Sequence, residues 1–520
     1  MARRDSVWFS VQKSAMIAPW FLAEAIFRLI YGFQVEGIEY LPARGPFILG
    51  INEYSLIAML ISGWMSLRLV LSSHERSENS TVSYMQEELW AARYFRTAVN
   101  MASERYGKLS PLSPHTAGNL ALGLMDGFRV LQQGGIVNLN PEGDMPWDGR
   151  PLPLGSAMAW LALHTAVPIV PALCSIGAYD IWPRWQVRPY LSGRLVLKIG
   201  KPFKLCDKPQ VQVSESDLAS ANARIQAEFD AVRYGPGGIP EWAGPPLRNG
   251  LPAEPPDGPA LPPRPVALPA KRQQRTSLIR RGSAQLLWQC PICRTNDALV
   301  HERPRFRPQT LHCEACGTRW ELRRVVGKDF RLKVVEGSPE WLGFDMALST
   351  WYDLMLHNFS PAPIKVSGMN LLPGEEVYLE TDHARLLPYR PNALFDGWQE
   401  REPPKSQLPG RRDLADWSSI GEGRLLLTSH RLLWQSPERE LDFVWPSVTA
   451  INMWIVNTLG IRYGTAPYRL AVGQEAGLKW LTHAGLLARQ VAQREGRTVV
   501  VSYLSKSSGP CGAGLAQPAS

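Results

Sequence analysis

Two Cys-x-x-Cys pairs constrain this chain more than any other feature of its sequence. Cys290 and Cys293 form the first pair, and Cys313 and Cys316 form the second. The segment between the pairs is long enough to form a hairpin that brings all four thiolates to one zinc ion. Four cysteines fill a tetrahedral shell and leave no position open for water, so the pattern predicts a closed, structural Zn²⁺ site. The spacing is that of a zinc ribbon.

Composition limits the classes of protein to consider. The 520 residues, 45% of them hydrophobic, exclude a largely disordered chain and suffice for about two to four domains. Seven cysteines, four of them in the two pairs, indicate a metal site in a reducing compartment rather than a disulfide framework, so we expect a cytoplasmic protein. The net charge of +9 suits the anionic face of a membrane without requiring nucleic acid.

Pattern and composition together predict seven segments. They are an amphipathic, interfacial helix at 1–34, an α/β domain at 35–234, a proline-rich and basic linker at 235–285, the cysteine-bearing unit at 286–327, a helical connector at 328–364, a β-rich domain with a closing helix at 365–495, and a disordered tail at 496–520. In the α/β domain, short apolar runs alternate with helical stretches, as in parallel strands joined by crossover helices. Charges and a proline interrupt the apolar run of the first segment, so the run predicts neither a signal peptide nor a membrane-spanning helix. A helix that lies on a membrane surface and a helix that packs on the following domain both fit this pattern.

Five blocks of the α/β segment resemble, in order and spacing, the motifs of 1-acylglycerol-3-phosphate acyltransferases and related phospholipid/glycerol acyltransferases. They lie at residues 35–52, 135–143, 154–162, 167–172 and 197–202, and the second block contains the Pro-Glu-Gly motif of that family. The resemblance implies an acyltransferase-like fold and substrate-binding roles for Glu142 and Gly143. It also places Arg105 roughly where the family carries a phosphate-binding arginine, with a surface salt bridge as the alternative.

The catalytic motif of that family is degenerate here. An Asn-His-x-x-x-x-Asp motif does the chemistry in the family: the histidine takes the proton of a glycerol hydroxyl, and the aspartate orients the imidazole. In this chain Asn52 is followed by Glu53, and Ala58 stands at the aspartate position. A glutamate has a pKa of about 4.3, so Glu53 would be a poor base unless burial raised its pKa by roughly two units or more. We therefore assign no catalytic residue.

The phosphate-binding motif departs from the family as well. Asp144 and Met145 follow Pro-Glu-Gly, where the family usually has a small hydroxyl residue and an arginine. An acidic side chain there would repel a phosphate. Losses in both motifs indicate that ordinary glycerophosphate acylation has been abandoned while the fold remains.

The C-terminal segment resembles GRAM and bacterial PH-like domains. The resemblance rests on a Pro-Gly-Glu opening at 373–375, a Leu-Thr-x-x-Arg-Leu strand pair at 427–432 and a closing helix with Trp480. It implies a β-rich domain with a capping helix, of a kind that binds phosphoinositides or proteins in some settings. We expect Thr428 and Arg431 to stabilise the strand turn rather than to contact a lipid.

Three functions fit these features. The preferred one is a cytoplasmic, membrane-peripheral lipid-binding or scaffold protein with a structural Zn²⁺, a lipid surface as partner, and protein partners for the ribbon or the PH-like domain. The alternative is an active acyltransferase that moves an acyl group from acyl-CoA or acyl-ACP to a lysophospholipid or other alcohol, with acyl-CoA or acyl-ACP as co-substrate. The third and least favoured is a nucleic-acid-associated protein acting through the basic residues of the ribbon. These residues are Arg303, Arg305, Arg307, Arg319, Arg323 and Arg324.

Overall fold

The computed structural model of this protein describes residues 22–65, 81–86, 107–112, 120–235, 282–388 and 421–501, with short interruptions. The interruptions are residues 23, 53, 54, 59, 63, 143, 144, 153, 187, 305, 306, 327, 328, 369, 455, 456, 465 and 474. Glu53, Arg105 and Gly143 therefore lie outside the described residues, as do most of the predicted interfacial helix, the linker from 236 to 281 and the tail from 502 onward.

The chain divides into two compact units, and each is described by itself. The first comprises Met1–Pro246, Leu322–Lys333 and Asp345–Thr350. The second comprises Leu247–Glu321, Val334–Phe344 and Trp351–Ser520.

A seven-stranded sheet forms the centre of the first unit. Its strands are β1 (Gln34–Glu36), β2 (Phe47–Ile51), β3 (Thr81–Gln86), β4 (Gly107–Leu112), β5 (Ile136–Leu139), β6 (Ile169–Ile176) and β7 (Val196–Ile199). They lie in the order β1-β7-β6-β2-β5-β3-β4, and every neighbouring pair is parallel except β6 and β7. This confirms the mixed α/β architecture predicted from the alternation of apolar runs and helical stretches.

Helices pack on both faces of this sheet. They are α1 (24–31), α2 (56–65, apart from 59 and 63), α3 (Leu120–Gln132), α4 (Ala157–Thr165), α5 (Ala178–Ile181) and α6 (Glu215–Tyr234). Successive side chains of a strand point to opposite faces. Accordingly, Leu49 of β2 belongs to the core that contains α2, whereas Ile48 belongs to the core that contains α3, α4 and α6.

Gly50 of β2 lies where two of these helices come closest to the sheet. A Cβ at this position would lie 2.5 Å from Met158 Cε on α4 and 2.6 Å from Phe229 Cζ on α6. Real Cβ atoms do not approach so closely, so a side chain here would displace the ends of Met158 and Phe229 from their present packing.

The chain segments 322–333 and 345–350 also belong to the first unit. The ring of Phe330 lies 5.0 Å from that of Trp185 and 5.9 Å from that of Tyr179, in edge-to-face contacts. The Arg324 guanidinium stacks on Tyr190 and donates hydrogen bonds to Ser192. The first unit thus includes residues that are more than a hundred positions away in sequence from the residues they contact.

A five-stranded sheet follows the linker. Its strands are β8 (Leu299–Glu302), β9 (Gln309–Cys313), β10 (Arg319–Arg324), β11 (Phe330–Glu336) and β12 (Asp345–Ala347), in the order β12-β11-β10-β9-β8. The helix α7 (Leu348–His357) comes next. The predicted helical connector at 328–364 is wrong in its first half, because β11 and β12 lie there. Trp341 is in a turn between these strands, and it still packs on Trp351 of α7 at 5.7 Å.

An eight-stranded sheet and one long helix belong to the second unit. The elements are β13 (Val377–Pro388), β14 (Gly421–Thr428), β15 (Arg431–Gln435), β16 (Glu440–Val444), β17 (Val448–Trp454), β18 (Thr458–Tyr463), β19 (Ala466–Ala471), α8 (Gly477–Arg494) and β20 (Val500–Val501). The strand order is β16-β15-β14-β13-β19-β18-β17-β20. Phe443 of β16 packs on Tyr468 of β19, four places away in that order, at 5.0 Å, so the sheet is strongly curved. The prediction of short strands closed by a helix is confirmed.

Within the described part of the chain, no helix is both long and apolar enough to cross a bilayer.

Candidate metal centre and candidate lipid site

The four predicted metal ligands converge in the second unit. Their Sγ atoms all lie within 4.8 Å of one another, with 3.9 Å between Cys290 and Cys316 and 3.6 Å between Cys293 and Cys313. Four metal–sulfur bonds of about 2.3 Å in tetrahedral geometry would place neighbouring sulfurs about 3.8 Å apart. The cluster therefore has the dimensions of a four-thiolate metal site.

The two cysteine turns have the same backbone geometry. In each, the residue after the second cysteine has a positive φ, 62° at Arg294 and 73° at Gly317. Its N–H donates to the carbonyl of the first cysteine, Cys290 or Cys313, at 2.9 and 3.0 Å respectively. This bond closes each turn around its sulfurs, so both halves of the site are built in the same way.

A threonine follows each pair, and the sequence reasoning missed it. The hydroxyls of Thr295 and Thr318 lie 3.2 and 3.3 Å from the sulfurs of Cys293 and Cys316. The carbonyls of the same threonines accept the N–H groups of Cys290 and Cys313. The signal was visible as a repeated Cys-x-x-Cys-x-Thr sequence. Hydroxyls that donate to metal-bound sulfurs orient them and lower their charge density.

The electrostatics of the cluster favour a bound cation. Burial raises the pKa of the Cys290 thiol well above its usual range, and the neighbouring thiols act in the same direction. Hydrogen bonding to Cys290 and Cys313 lowers the pKa of Cys293 to about 7. One thiolate thus forms readily, but four in this small buried volume would repel one another, and a metal ion removes that repulsion. The residues fit a metal ion in distance, burial and charge.

The acyltransferase-like motif residues meet at one edge of the seven-stranded sheet. β2 and β5 are parallel neighbours, so Asn52, after β2, and the turn at 140–142, after β5, lie at the same carboxyl edge. Asn52 is fully buried, and its Oδ1 accepts the N–H of Cys174 on β6 at 2.8 Å. Its Nδ2 has no hydrogen-bond partner among the described residues. Asn52 and the Pro-Glu-Gly turn are thus brought to the same edge of the sheet.

Ala58, at the position of the orienting aspartate, is part of the hydrophobic core. It is 0% exposed on α2 and belongs to the same cluster as Ile57 and Ile61. Its backbone N–H donates to Ser55 Oγ at 3.4 Å, at the beginning of the helix. Since the side chain ends at Cβ, nothing at this position can orient an imidazole.

Glu142 of the Pro-Glu-Gly motif is held by the protein itself. Its Oε1 accepts from Arg233 Nη2 of α6 at 2.9 Å, and its Oε2 accepts the N–H of Leu152 at 3.1 Å. Both charged side chains of this pair are buried. The Glu142 carboxylate thus satisfies a backbone donor of the loop that follows, and its ion-pair partner is Arg233, which no sequence motif indicated. A substrate-binding role for Glu142 stays a prediction.

The loop after this motif is packed closely. Trp147 is fully buried, and the guanidinium of Arg184 lies 4.8 Å from the centre of its ring. Arg184 Nη1 also donates to the carbonyl of Met145 at 3.1 Å. A cation from a distant segment therefore lies beside the position where the family motif carries its arginine.

In the β-rich domain, the motif residues form one buried ion network. Glu375 Oε1 accepts from Thr428 Oγ1 at 2.6 Å and from Arg431 Nε at 2.9 Å. Arg431 also donates to Asp442 Oδ2 at 2.6 Å. Burial alone would raise the pKa of Glu375, but the donors Arg431, Leu372 N–H and Thr428 together outweigh it and lower that pKa. As predicted, Thr428 and Arg431 stabilise the strand turn.

Several of the arginines around the cysteine pairs have acidic partners. Arg319 pairs with Glu302 and Glu336, and Arg323 pairs with Asp345. Arg303 and Arg307 line a groove of about 720 Å³ on the five-stranded sheet, together with Glu302 and Glu321. Pairing of this kind reduces the positive field that nucleic acid would require. Arg305 lies outside the described residues.

Comparison with known proteins finds similarity only at the level of solved structures. No protein-family model matches the chain, and no curated protein matches its sequence. One similar solved structure is the 1-acyl-sn-glycerophosphate (LPA) acyltransferase PlsC from Thermotoga maritima, at 23% identity over 41% of this chain and 74% of that chain, with a TM-score of 0.28. The function of this protein has to be inferred from its own residues and contacts.

Proposed function

We propose that this protein binds lipid or assembles partners at a membrane surface through an acyltransferase-like domain that lacks the general base of that family. The burial of Ala58 in the apolar core carries this proposal, because the position of the orienting carboxylate now serves packing. The order of the five motif blocks and the meeting of two of them at one sheet edge support the acyltransferase-like assignment.

His164 does not offer a replacement base. It is the only histidine that the structure describes in the first unit, since His74 and His115 lie outside the described residues. Its ring nitrogen Nδ1 lies 2.7 Å from the Gln210 carbonyl, and the ring packs on Trp160 at 4.4 Å. Helix α4 ends just before the amino end of β6, so His164 lies at the opposite sheet edge from Asn52.

An acyl-transfer assay separates this proposal from the active alternative. Purified protein would be offered labelled acyl-CoA and acyl-ACP with a panel of lysophospholipids and other alcohols. We expect no transfer above the level of a Glu53→Gln variant. Transfer by the wild type that disappears in Glu53→Gln would overturn the proposal and establish an active acyltransferase with a glutamate base.

An exposed apolar stripe supports membrane association. Leu22, Ile26 and Leu29, at helical spacing, are 62%, 43% and 88% exposed. On other faces of the same helix, Phe27 and Ile30 pack on the core. A surface helix that turns large aliphatic side chains both to the core and to solvent is suited to the boundary of a lipid layer.

Vesicle sedimentation tests this assignment. The wild type should co-sediment with anionic phospholipid vesicles, and Ile26→Ser with Leu29→Ser should reduce the bound fraction several-fold by removing apolar area from the lipid contact. Val211→Ser, at an equally exposed aliphatic position away from the helix, is the matched control. Equal binding by the double variant and the wild type would exclude this stripe as the membrane contact.

We assign zinc to the four-thiolate cluster, because a closed shell of four cysteines is the usual structural site for that metal. The purified protein should contain one equivalent of zinc, and Cys290→Ser with Cys313→Ser should remove it. Stoichiometric zinc that persists in that variant would overturn the assignment. Cys206→Ser is the control, since this thiol bonds to carbonyls of α4.

For the C-terminal part of the second unit we propose a PH/GRAM-like domain. The curved sheet, the closing helix α8 and the Glu375–Arg431 network support it. Its ligand would be a phosphoinositide or a protein surface.

A further inference from the structure

Helix α8 is buried on its polar side as well as on the apolar side that closes the sheet. Such a helix needs to bury only one apolar stripe. In α8, every residue from Gly477 to Gly485 is buried, including the polar Lys479, Thr482 and His483. One side of the helix packs on β17 and β18, so something else covers the polar side.

The cysteine-bearing segment covers that side. Lys479 Nζ lies 2.5 Å from Asp297 Oδ2 of this segment and 2.5 Å from Oε2 of Glu475, which stands just before the helix begins. One turn further on, the His483 ring packs on Trp288 at 5.3 Å and on Phe359 at 4.6 Å. A buried ammonium group needs both carboxylates to offset its lost hydration.

Asp297 is held by both cysteine turns. It lies between Thr295, whose carbonyl accepts the N–H of Cys290 at 2.9 Å, and Ala298, whose carbonyl accepts the N–H of Glu314 at 2.8 Å. Its φ is 56°, in the left-handed region that aspartate tolerates, and its N–H donates to the carbonyl of Trp288 at 2.8 Å. The position of its carboxylate therefore depends on the two turns being held together.

We propose that metal binding at the four-thiolate centre fixes the cysteine-bearing segment on α8, so that metal occupancy and the burial of the polar side of α8 are thermodynamically coupled. The inference rests on the proposed metal centre and goes beyond it. With metal, Asp297 and Trp288 cover Lys479 and His483. Without metal the two turns separate, Lys479 keeps only Glu475, and the polar side of α8 opens to solvent. Coupling of this kind is reciprocal, so α8 also sets the affinity of a metal it does not touch.

Hydrogen exchange of the full-length protein tests the first direction. Amides of α8 should exchange at least tenfold faster after chelation of the metal, and re-addition of zinc should restore protection. The amides of α6 in the first unit are the internal control. If the wild type takes up no metal, the metal centre itself is overturned; if it binds metal and α8 exchange does not respond, only the coupling is overturned.

Metal competition tests the reciprocal direction. Lys479→Met and Asp297→Asn each remove the ion pair and should weaken zinc binding at least tenfold, measured against a chromophoric chelator. Arg494→Met, at an exposed position of the same helix, should bind as the wild type does. Asp297→Asn leaves α8 unaltered, so it decides the outcome if Lys479→Met fails to fold. Wild-type affinity in a folded Asp297→Asn variant would overturn the coupling.

Discussion

At position 58, the acyltransferase motif that the sequence resembles has a charged residue, whereas the surrounding core favours an apolar one. The family uses an aspartate there to orient a histidine, and this chain has an alanine that is fully enclosed by apolar neighbours. Ala58 therefore packs in the core of the first unit, where it contributes to stability.

We predict that Ala58→Asp destabilises the first unit by about 3 kcal/mol, because the new carboxylate would be buried without a partner. Urea unfolding followed by tryptophan fluorescence measures the change. Ala43→Asp, at an exposed loop position, is the control and should change stability little. The double variant Glu53→His with Ala58→Asp should lose the same amount of unfolding free energy. If that double variant is as stable as the wild type and transfers acyl groups, Ala58 still borders a working catalytic pocket.

Single residues differ in how far the sequence alone defines their role. The four cysteines were predictable because their spacing reports local turns that need no knowledge of the rest of the fold. The partner of Glu142 was not predictable, since Arg233 lies 91 positions away on a helix whose packing sets the contact. The same holds for Glu375 and Arg431, which were recognised as separate motif residues but meet only through the fold of the sheet.

At the scale of elements, regular periodicity was predicted better than the junctions between elements. The sequence predicts a closing helix that contains Trp480, and α8 is observed at Gly477–Arg494. The segment before α7 was misassigned because Trp341, Phe344 and Trp351 follow helical spacing. These three residues do pack together, but they do not belong to one helix. Trp341 and Phe344 lie in and next to a turn, and Trp351 lies on α7.

The pH dependence of α8 is the prediction at this scale. Burial lowers the pKa of His483 from 6.5 to about 3, and the nearby charge of Lys479 acts in the same direction. The folded state thus favours the neutral ring, so its stability is complete above pH 6.5 and falls as the pH decreases toward 3. The expected slope is about 1.4 kcal/mol per pH unit within that window.

Unfolding of the second unit at a series of pH values measures this slope. His483→Gln should flatten the acid limb of the profile, whereas His357→Gln, at an exposed position of α7, should leave it unchanged. An unaltered acid limb in His483→Gln would show that other groups control the acid sensitivity of α8.

At the scale of the whole molecule, sequence order and unit membership differ. The linear description separates an α/β domain from everything after the proline-rich linker. The first unit nevertheless includes Leu322–Lys333 and Asp345–Thr350, because Phe330 packs on Trp185 and Tyr179. The high proline content identifies the linker in the sequence. Composition does not indicate which segment after the linker packs with the first unit.

We predict that Phe330→Ala destabilises the first unit by about 3 to 4 kcal/mol, through the loss of a fully buried aromatic ring. Chemical denaturation of the full-length protein measures the loss. Val326→Ala, at an exposed position of the same segment, should change stability by less than about 0.5 kcal/mol. If both variants unfold at the same denaturant concentration, the aromatic contacts of Phe330 contribute nothing to this unit.

The return of Phe330 to the first unit has a consequence during protein synthesis. Roughly eighty residues separate the end of Met1–Pro246 from Phe330, and a ribosome adds about 5 to 20 residues per second. For about 4 to 16 seconds the nascent domain has therefore left the ribosome without the ring that covers Trp185. During this interval the uncovered aromatic surface is available to chaperones.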